Sequence, residues 1–153
     1  MVEMVVVLVL AGILAAIVIP RFGSAMGARD DAWRDALVSG IRFAHKTALS
    51  HRRLVCAQVG ATTLTLRIAT STTATSCDLD LVVPMGSAGV FATSSNSASG
   101  TSVSPAGTPS GTLYFHPDGR TTTDGAGTTV ATRTISASGI SNITVHGETG
   151  HVE

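Results

Sequence analysis

Six side chains in the C-terminal third of the chain have the chemistry of metal ligands or of general acids and bases. They are His116, Asp118, His146, Glu148, His151 and Glu153. A metal site requires three or four such groups that converge and are held on rigid elements. The spacing of these six matches no zinc signature, and histidines in loops are usually just solvated. We therefore predict no metal site.

Hydrolytic catalysis has no better support in the sequence. Serine is abundant, but no serine stands in a G-x-S-x-G motif, and no Ser, His and Asp share a recognisable arrangement. Asp118 and Gly119 have the residue types of a turn, and Arg120 is interpreted as a surface charge beside them. We therefore expect no catalytic residues, no cofactor and no enzymatic activity.

One basic cluster could contact nucleic acid. It consists of Lys46, Arg52 and Arg53, at the end of a predicted helix. Three positive charges hold phosphate weakly and in a salt-dependent way, and no aromatic residue is interleaved to stack on bases. The 153 residues carry ten basic and ten acidic side chains, so there is no overall basic field. We therefore predict that nucleic acid is not a partner, and we interpret the cluster as a charged helix terminus.

The element that precedes all of these residues is an apolar run at the N-terminus. Every residue from Met4 to Ile19 is Val, Leu, Ile, Ala, Met or Gly, and Pro20 closes the run. As a helix this run would reach about 24 Å, compared with about 30 Å for a bilayer core. Glu3 stands at its start, where a carboxylate in lipid costs several kcal/mol unless it is paired. Glu3 is then either an end charge that reaches the interface or the partner of a cation on another chain.

A second helical pattern covers residues 28–50. Its apolar side chains recur every three or four residues and so share one face. These side chains are Trp33, Leu37, Ile41, Ala44 and Ala48. Acidic residues fill the first turn and basic residues the last, as the helix dipole favours. The apolar face requires a sheet to cover it.

Strand patterns follow the helix. Apolar residues alternate, or β-formers cluster, in ranges 54–59, 63–69, 77–83, 112–116, 130–136 and 142–146. Residues 92–111 are dominated by Ser, Thr, Ala and Gly, which predicts a long exposed loop. A helix followed by strands indicates an α+β fold, here with a long N-terminal hydrophobic helix that continues into an amphipathic helix packed on an antiparallel sheet. We divide the chain into a transmembrane or filament-core helix (1–22), its amphipathic second half (23–53) and a β-rich head (54–153).

The N-terminal pattern resembles that of type IV pilins and type II secretion pseudopilins. V-E-M is followed by an aliphatic run, and Pro20 comes seventeen residues after Glu3. The resemblance implies that Glu3 matches the family's conserved glutamate and that Pro20 matches its helix-kinking proline, both of which serve assembly. Met1 stands where the family has Leu, and the family's basic leader and its Gly-Phe-Thr do not appear. Processing by a prepilin peptidase is therefore expected of a longer precursor.

Three further motifs resemble the GspH/FimT group of minor pilins and pseudopilins, including MSHA-type members. They are RFAHKTALSHRRLVC, FHPDGR and ITVHGETGHVE. The resemblance implies a pilin-like fold and a structural subunit of a pseudopilus or type IV pilus that serves secretion, adhesion or uptake. The implied partners are other pilin or pseudopilin subunits, through the N-terminal helix, and the bacterial inner membrane, which the chain would cross once with its head in the periplasm.

Two other interpretations stay open. Some FimT-like minor pilins take part in DNA uptake through a basic C-terminal motif, whereas this chain has the acidic GETGHVE there. The chain could also be a membrane-anchored binding module unrelated to filaments.

Cys56 and Cys77 are the two cysteines of the chain. In a secreted protein of this kind they are expected to form a disulfide, because the extracytoplasmic side of a bacterial membrane is oxidising. The closed loop of about twenty residues would stabilise the fold by roughly 3 kcal/mol in the chain-entropy model. A metal pair is less favoured, since neither cysteine has a second one at ligand spacing.

Overall fold

The computed structural model describes residues 2–84, 87–94, 101–107 and 109–153, and along its helix it describes the side chains of residues 2–14 and 30–51. One helix, α1, spans Val2–His51. The strands are β1 Val55–Val59, β2 Thr63–Ile68, β3 Leu79–Asp80, β4 Val90–Thr93, β5 Ser102–Ser104, β6 Thr112–Phe115, β7 Thr121–Thr122, β8 Arg133–Ser136 and β9 Ile143–Val145.

The second half of α1 supplies one wall of the core. The predicted apolar face is confirmed, because each of its five side chains is buried. They pack with the inward-facing residues of β1, β2 and β6, such as Val55, Leu66 and Phe115. Side chains three and four residues apart share one side of a helix, so a single stripe of α1 is enough to cover the sheet.

The larger sheet has the strand order β3-β2-β1-β6-β7, with β4 also paired to β2. All of these pairs are antiparallel, and Ala57 of β1 lies opposite Leu66 of β2 and Leu113 of β6. Alternation along β2 buries Leu64, Leu66 and Ile68, as the sequence predicts. The opposite face carries polar and aromatic side chains and a second buried cluster that includes the two cysteines.

The smaller sheet has the order β5-β8-β9 and extends the same core. The end of the chain returns beside β9, where Thr144 and Glu153 exchange backbone hydrogen bonds of 2.9 and 3.0 Å. The Arg42 guanidinium of α1 donates to the Val152 carbonyl over 2.9 Å. The C-terminal residues are thus bonded both to the sheet and to the helix.

The N-terminal part of α1 corrects two sequence-based predictions. Among the described residues, no helix is long and apolar enough to cross a membrane. The predicted long N-terminal hydrophobic helix is therefore wrong, and so is the predicted single-pass location in the bacterial inner membrane.

Besides β4, which includes residues 92–93 of the predicted loop, and β7, neither of which was predicted, the structure differs from the sequence patterns in two strand regions. Within the range assigned to an exposed loop, Ser102–Ser104 form β5 and pair with β8, and Val103 is buried opposite Ile135. Residues 95–100 and 108 of that range lie outside the described residues. In the range 77–83 only β3 forms, because the neighbouring stretch of β2 is already paired with β4. Both differences arise from pairing between distant segments.

Candidate functional site

The apolar segment, residues 2–14 of α1, is the most unusual surface of the described protein. Ten of its large side chains are between 50% (Val6) and 79% (Val2) exposed. They are Val2, Met4, Val5, Val6, Val7, Leu8, Val9, Leu10, Ile13 and Leu14. A helix that is apolar all round is normally buried among other elements, and contiguous apolar patches of this kind mark interaction sites.

Glu3 lies within this segment. It is the one carboxylate in the first turn of α1, and it is exposed. Met4, Val7 and Leu8 lie around it on the helix surface. A negative charge near a helix N-terminus is favourable, because the unpaired N–H groups there carry partial positive charge. Pro20, the other predicted assembly residue, is in α1, but its side chain lies outside the described residues.

The three head motifs meet at His45 of α1. We call this place the motif junction and define it by His45, by Gly119 of the FHPDGR turn and by Gly150 of the C-terminal motif. A Cβ at Gly150 would lie 2.6 Å from the His45 ring, and one at Gly119 would lie 3.6 Å from His45 Nε2. Both glycines have positive φ, 93° at Gly119 and 64° at Gly150. Glycine is favoured at both positions by the left-handed backbone and by the nearby ring.

The electrostatics of the junction favour neutral histidine. Burial lowers the pKa of His45, the nearby Gly119 backbone partly offsets this, and the nearby His151 lowers the pKa further. The ring also packs against Phe115, with centroids 5.8 Å apart. His45 Nε2 is buried without a hydrogen-bond partner among the described residues. His45 is therefore a packing residue that holds the helix against two turns.

The candidate residues of the turn after β6 are bonded to residues close to them in the chain. His116 Nε2 is 2.9 Å from the Thr122 hydroxyl. Asp118 accepts from the Arg120 guanidinium over 2.6 Å, and this bond lowers the pKa of the Asp118 carboxyl. His116 and Asp118 thus have separate partners, and the interpretation of Asp118 and Gly119 as turn residues agrees with this geometry.

The C-terminal histidines lie near one carboxylate. Glu153 Oε1 is 3.3 Å from His146 Nε2 and 4.0 Å from His151 Nε2, and the two rings are 6.0 Å apart. The side chains of His151 and Glu153 are exposed and that of His146 is 43% exposed, so such pairs add little stability. Glu148 is exposed in the turn between the two histidines. Over the described parts of the chain, no group of three or more His, Cys, Asp or Glu side chains is arranged to hold a metal ion.

The basic cluster lies where α1 ends. Lys46 and Arg52 are exposed and Arg53 is half-buried. Arg52 has a left-handed φ of 52°, and the Arg53 N–H donates to the Ala48 carbonyl over 3.3 Å. This closes the last turn in the way that helices commonly end. The geometry gives Arg52 and Arg53 a role in the helix terminus, and the absence of nucleic acid among the partners stays a prediction.

The predicted disulfide between Cys56 and Cys77 is confirmed. It joins β1 to the segment before β3 and is packed with Leu54, Ala69 and Tyr114. Burial raises the pKa of Tyr114, the Asp124 carboxylate raises it further, and the Arg133 cation partly offsets both effects. The disulfide is thus part of a second small core on the outer face of the larger sheet.

Arg133 is a buried residue that the sequence analysis did not single out. Its side chain has no exposed surface, and its guanidinium donates to the carbonyls of Thr122 (3.1 Å) and Thr112 (3.2 Å). These bonds tie β8 of the smaller sheet to β7 and β6 of the larger one. Burial lowers the Arg133 pKa, and Tyr114 partly offsets this. The available signal was alternation, since Arg133 and the buried Ile135 are two residues apart on one strand.

Comparison of this chain with protein-family models, with curated proteins and with solved structures finds no match.

Proposed function

We propose that this protein is a structural subunit of a filament of the type IV pilus or pseudopilus kind, and not an enzyme. In this proposal the apolar segment packs among the equivalent segments of neighbouring subunits, and the β-rich head stays at the filament surface. The resemblance of the V-E-M run and of the three head motifs to minor pilins and pseudopilins supports this assignment. The filament would serve secretion, adhesion or uptake.

The observation that carries the proposal is the exposure of the apolar segment. Ten large apolar side chains on a single helix face outward and meet no other part of the described chain closely enough to be buried. Burying apolar surface is favourable by about 25 cal/mol per Å². Neighbouring helices of the same kind would cover such a segment on all sides, which a groove on a globular partner would not do.

Glu3 would determine how neighbouring apolar segments align in the proposed filament. A carboxylate taken into an apolar helix bundle costs several kcal/mol unless a cation pairs with it. A cationic group on the next subunit, such as the amino terminus that the pilin resemblance implies, would offset much of this cost. It would also fix the axial position of one subunit against the next, because only one register brings the two charges together.

The test is to express Glu3→Ala, Glu3→Gln and the wild type in the cells that produce this protein and to measure the protein in the sheared filament fraction. We expect the wild type in that fraction and a loss of about tenfold or more for both variants, since an unpaired buried charge costs 3–5 kcal/mol. Glu3→Gln keeps the side-chain size, so it separates charge from shape.

Glu148→Gln is the matched control, because it neutralises an exposed carboxylate of the head. It should enter filaments like the wild type. If the wild type is absent from sheared filaments, the filament function is wrong. If both Glu3 variants enter at the wild-type level, the pairing role of Glu3 is wrong.

A further inference from the structure

We propose that a cleft on the outer face of the larger sheet binds a small neutral hydroxylated ligand, about the size of one saccharide unit. The cleft has a volume of about 230 Å³. Sites for drug-sized ligands usually measure roughly 300–1,000 Å³, so this cleft suits a single small ring. It lies on the face of the sheet opposite α1 and far in sequence from the apolar segment, so it does not depend on the filament role.

Strand alternation builds the floor of the cleft. Gln58 of β1 lies directly opposite Thr112 of β6, and Cys56 lies opposite both Tyr114 of β6 and Arg67 of β2. Residues at such positions project to the same face of the sheet. The register therefore brings an amide, a guanidinium, an aliphatic hydroxyl and a phenol together on one surface.

The disulfide holds the wall of the cleft in place. It ties Cys77 to β1, and Thr75 and Ser76, just before Cys77, line the cleft. A Cβ at Gly125 would overlap the Thr75 carbonyl, so this backbone is also packed against the loop that follows β7. The wall is therefore fixed from two directions. A preformed cleft loses less conformational freedom when a ligand binds.

The charges around the cleft select a neutral ligand. Arg67 is the one charged residue among the described residues of the lining, and its Nε is 3.1 Å from an Asp80 carboxylate oxygen. A second Arg67 nitrogen donates to the Asp78 carbonyl over 2.9 Å. With this charge compensated, the remaining polar groups are the Gln58 amide and several hydroxyls. These groups both donate and accept hydrogen bonds, as ligand hydroxyls require.

Thr112 gives an independent indication of an absent partner. It is 4% exposed, and its hydroxyl is buried without a hydrogen bond among the described residues. A buried hydroxyl without a partner costs about 1–3 kcal/mol. Thr112 also lines the cleft, so a rotamer that places Oγ1 in the cleft would make the hydroxyl available to a ligand. A ligand hydroxyl would then supply the missing partner.

The test is a titration of the whole protein with the methyl glycosides of glucose, galactose, mannose and N-acetylglucosamine, followed by amide chemical shifts. We expect saturable shifts at Gln58, Thr75 and Thr112 with at least one glycoside. Thr112→Val should weaken that binding by about threefold to tenfold, the equivalent of one hydrogen bond. Gln58→Ala, at an exposed position that tolerates substitution, should weaken it to a similar degree.

Thr121→Val is the matched control. Thr121 also has a buried hydroxyl without a partner, but it pairs with Phe115 and so lies on the opposite face of the sheet. Both valine variants should keep or raise the melting temperature, and only Thr112→Val should affect binding. The proposal is overturned by an absence of saturable shifts with all four glycosides. Unchanged affinity in both Gln58→Ala and Thr112→Val, or tighter binding of acetate or ethylamine at the same residues, overturns it as well.

Discussion

The two described parts of α1 have the same backbone geometry and opposite surroundings. From residue 30 to 51 one stripe of side chains is buried, and most of the charged residues are exposed. From residue 2 to 14 apolar side chains point in every direction and all are exposed. Leu37 is fully buried, whereas Leu8 is 71% exposed.

This contrast separates two uses of the hydrophobic effect. Apolar residues at intervals of three and four stabilise the folded chain by covering its own sheet. Apolar residues at every position cannot all be covered by one sheet, and in the proposed filament they would stabilise the assembly with other helices. Stability of the head and association of the subunit should therefore respond to different substitutions.

The largest expected effect is the difference between Leu37→Ala and Leu8→Ala. Leu37→Ala should lower the free energy of unfolding of the head by about 2–5 kcal/mol, because it removes a fully buried side chain. Leu8→Ala should leave that free energy unchanged within about 0.5 kcal/mol. Denaturant titration followed by Trp33 fluorescence measures both. A comparable loss in Leu8→Ala would mean that the apolar segment is covered by the chain itself.

Alanine substitutions at two glycines test the same difference between the two parts of α1, with a smaller expected change in stability. A Cβ at Gly40 would overlap Leu64 and lie 2.7 Å from the Phe91 ring, whereas a Cβ at Gly12 would meet none of the described atoms within 4 Å. Gly40→Ala should destabilise the head by about 1–3 kcal/mol through overpacking. Gly12→Ala should raise helix content slightly, since alanine is favoured over glycine by up to about 1 kcal/mol.

Circular dichroism during thermal unfolding gives both results. Equal effects of the two alanines would show that helix propensity, and not contact with the sheet, distinguishes the two parts of α1. A Gly12→Ala variant that loses helix would contradict the exposed position of Gly12.

The smallest expected effect is a pH dependence that only the covered part of α1 can produce. Burial holds the pKa of His45 in the folded protein below the ordinary value of 6.5. The unfolded chain therefore binds this proton first, and the stability due to neutral His45 is lost as the pH falls below about 6.5 toward the folded-state pKa.

Unfolding free energies of the wild type and His45→Gln across pH 5 to 8 measure this contribution. The wild-type slope should be steeper than the variant slope below about pH 6.5, and the two slopes should agree above it. Identical slopes throughout would show that the ring titrates as freely in the folded protein as in the unfolded chain.

Local patterns were enough to predict much of the head. The spacing from Trp33 to Ala48 identified the buried face of α1. Alternation identified β2, and the clustering of β-forming residues identified β1 and β6. These predictions succeeded because a period of about 3.6 or 2 residues places side chains on one face whatever lies beyond it. The pairing of the two cysteines was confirmed as well, since the chain contains one possible pair.

The same reasoning failed in two regions of the chain. The apolar run predicted a membrane-spanning helix, and the described residues contain none. The Ser-rich composition around Val103 predicted a loop. Val103 instead lies in β5 and pairs opposite Ile135, because an edge of β8 was available. Local composition gives no information on which edge is vacant.

By itself the sequence determined which residues lie on the core side of each regular element, because that choice depends on neighbours a few positions away. Only the tertiary structure decided that Arg133 is buried between two sheets, that His45 touches two turns from distant motifs, and that Gln58, Arg67 and Thr112 line one cleft. These contacts join residues tens of positions apart. They depend on strand order and register, which packing of the whole chain selects and which no local period encodes.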